Sequence, residues 1–206
     1  MIDVAEYLIK KFDIKVNPDG PTEIKIGRFK DMPRLLAECG LNKGYEVGVY
    51  RGRYSKSMLD YHPNLHLTGV DAWEIYGGYK DYEKTDIIDA HREAEETYDK
   101  YGDRAILIQG WSTEVAEAVE DESLDFVFID ANHAYEFVVE DIATWSKKVR
   151  KGGIVWGHDY DDYSNHKKRW NQMHVQDAVN GWCRSYKISP LFVITNNSNN
   201  CWFYIK

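Results

Sequence analysis

The sequence predicts an α/β fold in which a mostly parallel sheet is covered by helices on both faces. Three observations lead to this prediction: five short apolar runs bounded by Gly, Asp or Asn, segments of helical periodicity between them, and two β-rich runs at the end of the chain. Strands that are apolar throughout are typical of parallel sheets buried on both faces. The five runs are Tyr45–Val49, Leu67–Val70, Ala105–Ile108, Leu124–Ile129 and Ile154–Trp156.

The clearest helical pattern follows the fourth run. Apolar residues recur there at helical spacing, and they predict a helix over about 136–150. The two final β-rich runs, Ile188–Thr195 and Cys201–Ile205, predict an antiparallel hairpin that closes one edge of the sheet. The members of the helical stripe are Val138, Ile142, Trp145 and Val149.

The segment before the first strand has a different pattern. Residues 2–12 form one helical stripe, a turn follows at Asn17–Pro21, and a second helix is predicted over about 31–39. We therefore divide the chain into an N-terminal helical cap or lid, 1–40, and a main domain, 41–206.

A long charged and aromatic segment, 74–104, exceeds the usual connection between a strand and a helix. Such insertions are often lids or binding loops. A solvated surface helix around residues 86–100 is the alternative interpretation. The aromatic residues that suggest a binding role are Tyr76, Tyr79, Tyr82, Tyr98 and Tyr101.

Composition excludes several classes of function. The 206 residues carry a formal net charge of −8, whereas a nucleic-acid partner normally requires a basic face. No stretch approaches the roughly 20 apolar residues that a membrane span needs, and no signal peptide is visible. Cys39, Cys183 and Cys201 form no C-x-x-C pair, which suits a reducing cytoplasm. We expect a cytoplasmic protein that acts on a small molecule.

The first strand leads into the loop Glu46-Val47-Gly48-Val49-Tyr50-Arg51-Gly52. In an open parallel sheet, ligands bind beyond the carboxyl ends of the strands, and glycines there let the backbone approach the ligand closely. Only Gly48 and Gly52 fit, so the spacing departs from the dinucleotide fingerprint G-x-G-x-x-G. Glu46 would repel a pyrophosphate and attract a cationic ligand, which disfavours a nicotinamide-dependent oxidoreductase.

Two further loops carry groups that suit a nucleoside. Asp71 ends the second strand 19 residues after Gly52, where an acid can accept both ribose hydroxyls, and Trp73 is expected beside it. Helix capping is the alternative role for Asp71. The third strand leads into Gln109-Gly110-Trp111-Ser112, which can place a ring and a hydroxyl near an adenine. Ser112 could equally cap a helix that starts near Thr113.

The most specific block lies at the ends of the fourth and fifth strands. Asp130 follows the fourth strand, with His133 in the same loop, and His158 and Asp159 follow the fifth. Two carboxylates and an imidazole suit an oxygen-rich site for Mg²⁺ or Mn²⁺. The alternative is that His158 and Asp159 only form hydrogen bonds within their own loop.

The run from Glu46 to Tyr160 resembles the class I S-adenosylmethionine-dependent methyltransferases, and within them the small bacterial O-methyltransferase-like branch. It follows the pattern E-x-G-x-x-x-G … V-D … D-x-V-F-I-D-x-x-H-x-Y … D-I … W … V-x-x-G-G … H-D-Y. The resemblance implies a Rossmann-like, doubly wound, seven-stranded sheet, mostly parallel, with a C-terminal antiparallel hairpin. It also implies methyl transfer from S-adenosylmethionine to a small hydroxylated acceptor, a phenol or a sugar.

The resemblance carries functional roles onto matching residues of this chain. Asp130 and the pair His158-Asp159 match the acids that bind a divalent cation in metal-dependent relatives, although His158 stands where those relatives often have Asp. Some relatives have an acidic base at the position of Asn132, which cannot take a proton, so His133 becomes the candidate base. The cofactor would contact Glu46, Gly48 and Gly52 at its methionine end, Asp71 at its ribose, and Trp111 and Ser112 at its adenine.

Some alternatives stay open. A second histidine, His174, is placed by periodicity on a later helix and ranks below His133 as a base. A binding protein that keeps the nucleoside pocket without turnover would show the same residues, as would a hydroxylase on the same fold. The residues also leave a homo-oligomer open.

Overall fold

The computed structural model describes residues 2–75, 84–162, 173–195 and 199–206. The tyrosines Tyr76, Tyr79 and Tyr82 of the predicted binding segment lie outside these residues. The helices are α1 (Val4–Lys11), α2 (Asp31–Glu38), α3 (Arg53–Tyr61), α4 (Lys84–Tyr98), α5 (Ser112–Glu117), α6 (Tyr135–Lys148) and α7 (Val175–Tyr186), with a short 3-10 helix at Asp99–Arg104.

The strands form one sheet of eight among the described residues, in the order β1-β7-β8-β6-β5-β2-β3-β4. Strands β2 to β6 are parallel to one another, and β8 is antiparallel to both β6 and β7. The predicted α/β fold with its C-terminal antiparallel hairpin is confirmed. The strands are β1 (Thr22–Ile24), β2 (Lys43–Val47), β3 (His66–Asp71), β4 (Ala105–Gln109), β5 (Leu124–Ile129), β6 (Val149–Gly157), β7 (Phe192–Ile194) and β8 (Cys201–Ile205).

The sheet has one strand more than the seven expected. Strand β1 comes from the segment predicted to be a helical cap, and it pairs in parallel with β7 at the edge. Helices α1 and α2 pack on the same face as α3, in one apolar cluster with the sheet residues Phe126, Phe128 and Trp156. A lid function for residues 1–40 stays a prediction.

Alternating side chains fill both faces of the central strands. Phe126 and Phe128 of β5 face the layer of α1, α2 and α3, whereas Val127 and Ile129 face the layer of α5, α6 and α7. Trp145 of α6 is fully buried in the second layer. Burial of one side chain such as Phe126 or Phe128 contributes about 1.5–3 kcal/mol to stability. Packing on both faces therefore stabilises β5 at the centre of the sheet.

Several predicted boundaries are corrected. Helix α6 ends at Lys148, and β6 begins at Val149, because the chain through Gly152 and Gly153 is already part of the strand. Helix α4 occupies the position of the surface helix that was the alternative for segment 74–104. The three cysteines are free and buried. In the described part of the chain, no helix is long and apolar enough to cross a membrane.

Candidate active site

The carboxyl ends of β2, β3, β4 and β5 surround one cavity of about 570 Å³. This is where parallel strands present their loops, so the location agrees with the sequence prediction. Two predicted residues, Gly52 and His158, are not among the lining residues. The predicted residues that do line the cavity are Glu46, Gly48, Asp71, Trp73, Gly110, Trp111, Ser112, Asp130, His133 and Asp159.

Gly48 brings the loop after β2 against the loop after β5. Its φ is +89°, and a Cβ built there would lie 2.1 Å from the carbonyl oxygen of Asp130. The strand ends are joined at the same point, because the Asp130 N–H donates to the Val47 carbonyl at 2.7 Å. A side chain at position 48 is therefore excluded by both sterics and backbone conformation. Gly52, with φ +69°, starts α3 from just outside the cavity lining.

Asp71 braces the glycine-containing loop from the neighbouring strand. Its Oδ2 accepts the N–H groups of Val49 and Tyr50, both at 2.9 Å, and its Oδ1 accepts the Trp73 N–H at 2.9 Å. A carboxylate oxygen can accept more than one hydrogen bond, so Oδ1 retains capacity for a further donor. Asp71 thus has a structural role in the described residues, and its predicted contact with a ribose stays a prediction.

Glu46 is buried beneath the same loop. Its Oε2 accepts hydrogen bonds from the Ser55 hydroxyl and, at 3.5 Å, from the Tyr98 hydroxyl. Burial, with a smaller contribution from the charge of Asp130, raises the pKa of Glu46 to about 8, although the Ser55 hydrogen bond lowers it. A buried carboxyl with a raised pKa is suited to a cationic ligand, because such a ligand favours its ionised form.

Trp73 and Gly110 line the cavity in the loops that follow β3 and β4. The Trp73 indole stacks on His91 with ring centroids 4.2 Å apart, and its Nε1 donates to the Tyr50 carbonyl at 2.9 Å. The Gly110 N–H donates to the Asp71 carbonyl at 2.9 Å. Trp73 is thereby fixed at the wall of the cavity, with φ +44°.

Ser112 does not cap a helix as one sequence interpretation proposed. Helix α5 begins at Ser112 itself, and the Ser112 hydroxyl donates to Asp141 and accepts the Trp145 Nε1–H at 2.8 Å. Burial raises the pKa of Asp141 to about 7, although the Ser112 hydrogen bond lowers it. This network anchors the loop after β4 to α6.

Four ionisable side chains meet where β5 and β6 end. His133 Nε2 lies 3.0 Å from Asp159 Oδ2 and 3.7 Å from Asp130 Oδ1. His158 Nδ1 lies 3.0 Å and 3.6 Å from the same two oxygens. The candidate ligand atoms of Asp130, His133 and Asp159 all lie within 4.8 Å of one another. The loops after β5 and β6 therefore meet, and this group of three contains His133 where the sequence predicted His158 as a ligand. A bound metal ion stays a prediction.

Opposite charges dominate the electrostatics of this cluster. Burial alone would lower the pKa of His133, but the carboxylates of Asp130 and Asp159 raise it to about 10, and they raise the pKa of His158 to about 9. Burial would raise the pKa of Asp159, but the two histidines hold it well below its usual range. In the absence of a cation, the two imidazoles therefore balance the two carboxylates.

The neighbouring polar residues support the cluster. The Asn132 side chain accepts the Ala134 N–H at 2.8 Å at the start of α6, which is a structural role. His174 precedes α7 instead of lying on it, and its backbone N–H donates to the His133 carbonyl at 2.8 Å. The Asn199 side chain donates to Asp159 Oδ1, so that Oδ2 faces the histidines.

Some residues of the site were not predicted from the sequence. Arg28 and Phe29, from the segment before α2, line the cavity, as does Tyr54 of α3. Nothing in their local sequence indicates a site, because long-range packing brings them there. Asp141 did carry a signal, since an acid inside the apolar stripe of α6 is unusual unless it is hydrogen-bonded.

Residues 45–160, more than half of the chain, match the family described as Methyltransferase domain. The chain belongs to this family, and its fold is that of a class I S-adenosylmethionine-dependent methyltransferase. The uncharacterized protein R132 of Acanthamoeba polyphaga mimivirus is 28% identical over 137 residues, which cover 66% of this chain and 56% of that protein. The match thus spans little more than half the length of this relative.

Two solved structures share the fold over the whole chain. The O-methyltransferase from Bacillus cereus in complex with SAH is 13% identical with a TM-score of 0.65, covering 100% of this chain and 92% of that chain. The O-methyltransferase TomG from Streptomyces achromogenes, involved in tomaymycin synthesis and in complex with SAM, is 15% identical with a TM-score of 0.61, covering 100% and 89%. At these identities, the likeness establishes the fold.

Proposed function

We propose that the protein transfers a methyl group from S-adenosylmethionine to a hydroxyl of a small acceptor, a phenol or a sugar, with the help of a divalent cation. The observation that supports this most strongly is the single cavity that Glu46, Asp71 and Ser112 share with Asp130 and His133. One part of the cavity suits a cationic nucleoside, and the adjoining part carries acid–base groups. The family match favours methyl transfer over the oxidoreductase alternative.

The residues fit S-adenosylmethionine by charge and by shape. Asp71 supplies negative charge at one end, where a cationic ligand would also favour the ionised form of Glu46, and Gly48 leaves the backbone open beside Asp130. Bound there, the cofactor supplies an activated methyl group for an in-line displacement, for which the protein mainly contributes alignment. Trp73, Trp111 and Ser112 would flank the nucleoside on the side of β3 and β4.

The residues also fit a divalent cation. Asp130 and Asp159 offer oxygen donors, and a nitrogen of His133 lies within 4.8 Å of both. His158 Nδ1 lies 3.6 Å from Asp130 Oδ1 and 3.0 Å from Asp159 Oδ2, so it offers a second nitrogen donor. A cation bound there would supply Lewis-acid polarisation of the acceptor hydroxyl. We propose Asp130, His158 and Asp159 as the ligands, the set predicted from the sequence, because His133 lines the cavity and is the candidate base.

His133 is the proposed base because it lines the cavity whereas His158 does not. It can accept a proton only in its neutral form. A bound cation would then have to balance the negative charges of Asp130 and Asp159 in place of the protonated imidazole. A side chain that takes the acceptor proton as the methyl group moves typically contributes about 10²–10⁴-fold to the rate. Removal of the proton leaves the acceptor oxygen as the nucleophile.

The test is an assay with methyl-labelled S-adenosylmethionine and a panel of phenols, sugars and amines, with divalent cations and with EDTA. Label in the acceptor that depends on a cation supports the proposal. Binding of S-adenosylmethionine without label in any acceptor would favour the binding protein that lacks turnover. Label on nitrogen or carbon acceptors only would contradict transfer to oxygen.

A further inference from the structure

The proposed cation site contains imidazole nitrogen as well as carboxylate oxygen, and this composition bears on which cation it takes. Asp159 Oδ2 lies 3.0 Å from one nitrogen of each histidine, and Asp130 Oδ1 lies 3.6–3.7 Å from the same two nitrogens. Donor atoms about 2.0–2.1 Å from one tetrahedral ion lie roughly 3.3 Å apart. The two distances from His158 Nδ1, 3.0 and 3.6 Å, lie on either side of this value, so that nitrogen is spaced from both carboxylates as a ligand of a shared ion would be.

The buried histidine nitrogens provide a second, independent observation. His158 is only 8% exposed, and its Nε2 has no hydrogen-bond partner among the described residues, as is true of both ring nitrogens of His133. The short distance from His133 Nε2 to Asp159 thus lacks hydrogen-bond geometry, whereas the His158 nitrogen that faces the carboxylates is Nδ1. Buried polar groups are nearly always partnered, so the unpartnered His133 Nε2 beside the two carboxylates indicates that this cluster accommodates a ligand.

His158 is better placed as a ligand than as a base. Its backbone N–H donates to the Ile129 carbonyl at 3.1 Å, which fixes it at the end of β6, and its side chain lies outside the cavity lining. Asp159 follows with φ +55°, so that the chain turns sharply and both side chains reach the same point. A ligand needs to reach only the ion, whereas a base must reach the acceptor.

We propose that this site selects a divalent transition ion of the class of Fe²⁺, Co²⁺ or Zn²⁺ over Mg²⁺, and that the His158 nitrogen causes this selectivity. Mg²⁺ binds oxygen ligands in near-ideal octahedra, whereas imidazole suits Fe, Zn and other late transition ions. The inference rests on the cation of the proposed function, and it narrows the sequence expectation of Mg²⁺ or Mn²⁺. It attributes the choice of ion to the one ligand position where this chain departs from the acidic pattern.

The test uses the full chain stripped of metal with EDTA. Co²⁺ and Mg²⁺ affinities are measured by calorimetry, and Mn²⁺ serves as a probe whose electron spin-echo spectrum reports a coordinated imidazole nitrogen. Most protein sites bind Co²⁺ more tightly than Mg²⁺, so the decisive quantity is the change in that preference on substitution. His158→Asp restores the acidic pattern, His158→Gln removes the nitrogen without adding charge, and His133→Gln leaves the proposed ligands intact.

In the wild type we expect one bound ion with a nitrogen signal. The signal is lost in both His158 variants, and His158→Asp narrows the Co²⁺ over Mg²⁺ preference at least tenfold. His133→Gln keeps the nitrogen signal. Circular dichroism identifies a variant that has not folded, and the second His158 variant then decides the result.

Three outcomes would overturn the proposal: no ion bound by a folded wild type, an unchanged preference in folded His158→Asp, or a nitrogen signal lost only in His133→Gln. Binding of S-adenosylmethionine is measured on the same samples. A wild-type chain that binds S-adenosylmethionine but no added metal ion contradicts this inference and leaves the proposed cofactor binding intact. A chain that binds metal but transfers no methyl group contradicts the proposed function alone.

Discussion

The carboxylate of Asp71 holds the backbone of Tyr50, whose N–H it accepts at 2.9 Å together with that of Val49. An equivalent arrangement exists at the opposite end of the sheet, where Asp125 Oδ2 accepts the N–H groups of Asn42 and Lys43 at 2.7 and 2.8 Å. Both aspartates accept two successive backbone N–H groups. Asp125 also pairs with Arg150 at 2.7 Å, and only Asp71 lines the cavity. Substitution of each aspartate therefore distinguishes the stabilisation of a loop from contact with a ligand.

We predict that Asp71→Asn weakens binding of S-adenosylmethionine at least tenfold, because an amide accepts fewer hydrogen bonds and carries no charge. Asp125→Asn is the matched control. Each variant should lose about 1–2 kcal/mol of unfolding free energy, measured by urea denaturation. Calorimetry should show normal cofactor affinity for Asp125→Asn. An equal loss of cofactor affinity in both variants would mean that Asp71 acts through stability alone.

Gly48→Ala should be strongly destabilising. The added Cβ meets the Asp130 carbonyl at 2.1 Å, and neither backbone can move without breaking the bond from Asp130 to Val47. We expect a loss of about 2–4 kcal/mol, from steric overlap and positive φ together. Gly40→Ala is the control, since Gly40 has φ +69° but nothing within 4 Å of the added atom, and it should lose about 1 kcal/mol. Thermal unfolding measures both, and similar losses would contradict the close approach.

Cofactor affinity should rise with pH up to about 8. Glu46 is neutral at pH 7 in the free protein because burial raises its pKa to about 8, whereas a sulfonium and an ammonium favour its ionised form. Below that pKa, affinity should fall by up to about tenfold per pH unit. Calorimetry between pH 6 and 9 measures this dependence. Glu46→Gln should bind the cofactor weakly at every pH, whereas the exposed control Glu114→Gln should follow the wild type. If the affinity of Glu46→Gln rises with pH as steeply as that of the wild type, Glu46 is excluded as the cause.

Stability should show the opposite dependence on pH. The folded pKa of Glu46 lies above its ordinary value of 4.5, so its contribution is fully present below about 4.5 and is lost as pH rises to about 8. Asp141, whose pKa is raised to about 7, acts in the same direction. The unfolding free energy of Glu46→Gln, measured by urea denaturation at a series of pH values, should therefore fall less steeply with pH than that of the wild type. The contribution of Asp141 should remain below pH 7. An unchanged slope between pH 7 and 8 would contradict the burial of Glu46 as an acid with a raised pKa.

His133→Gln should reduce kcat by about 10²–10⁴-fold while leaving the affinity for S-adenosylmethionine within threefold of the wild type. His66→Gln is the control, because His66 is exposed at the opposite end of β3. Turnover with the labelled cofactor and an accepted hydroxyl compound measures the effect. If His133→Gln keeps more than a tenth of the wild-type kcat, another group removes the proton.

The sheet and the loops that end its strands could be predicted because their signals are local. Apolar runs bounded by Gly and Asp specify buried strands, and parallel topology then brings Asp71 and Asp130 to the same edge. Strand β1 could not be predicted, since three residues in a turn-rich segment become a strand only by pairing with β7, about 170 residues later.

The detailed roles of side chains were harder to predict for the same reason. Ser112 was expected to face a ligand or cap a helix, but Asp141 and Trp145 hold its hydroxyl. Asp71 was expected to meet a ribose, yet two backbone donors occupy its Oδ2. These partners lie 21 to 33 residues away in sequence, and packing of layers decides them. Sequence periodicity identifies the face of an element and leaves the partner undetermined.

The central claim is that this cavity binds S-adenosylmethionine and positions its methyl group for transfer. Titration of the wild-type chain with S-adenosylmethionine by calorimetry, with and without added divalent cation, tests it most directly. We predict one site per chain with micromolar affinity, weakened at least tenfold in Asp71→Asn and unaffected in Asp125→Asn. The absence of binding under both conditions, or equal binding in both variants, would contradict the account.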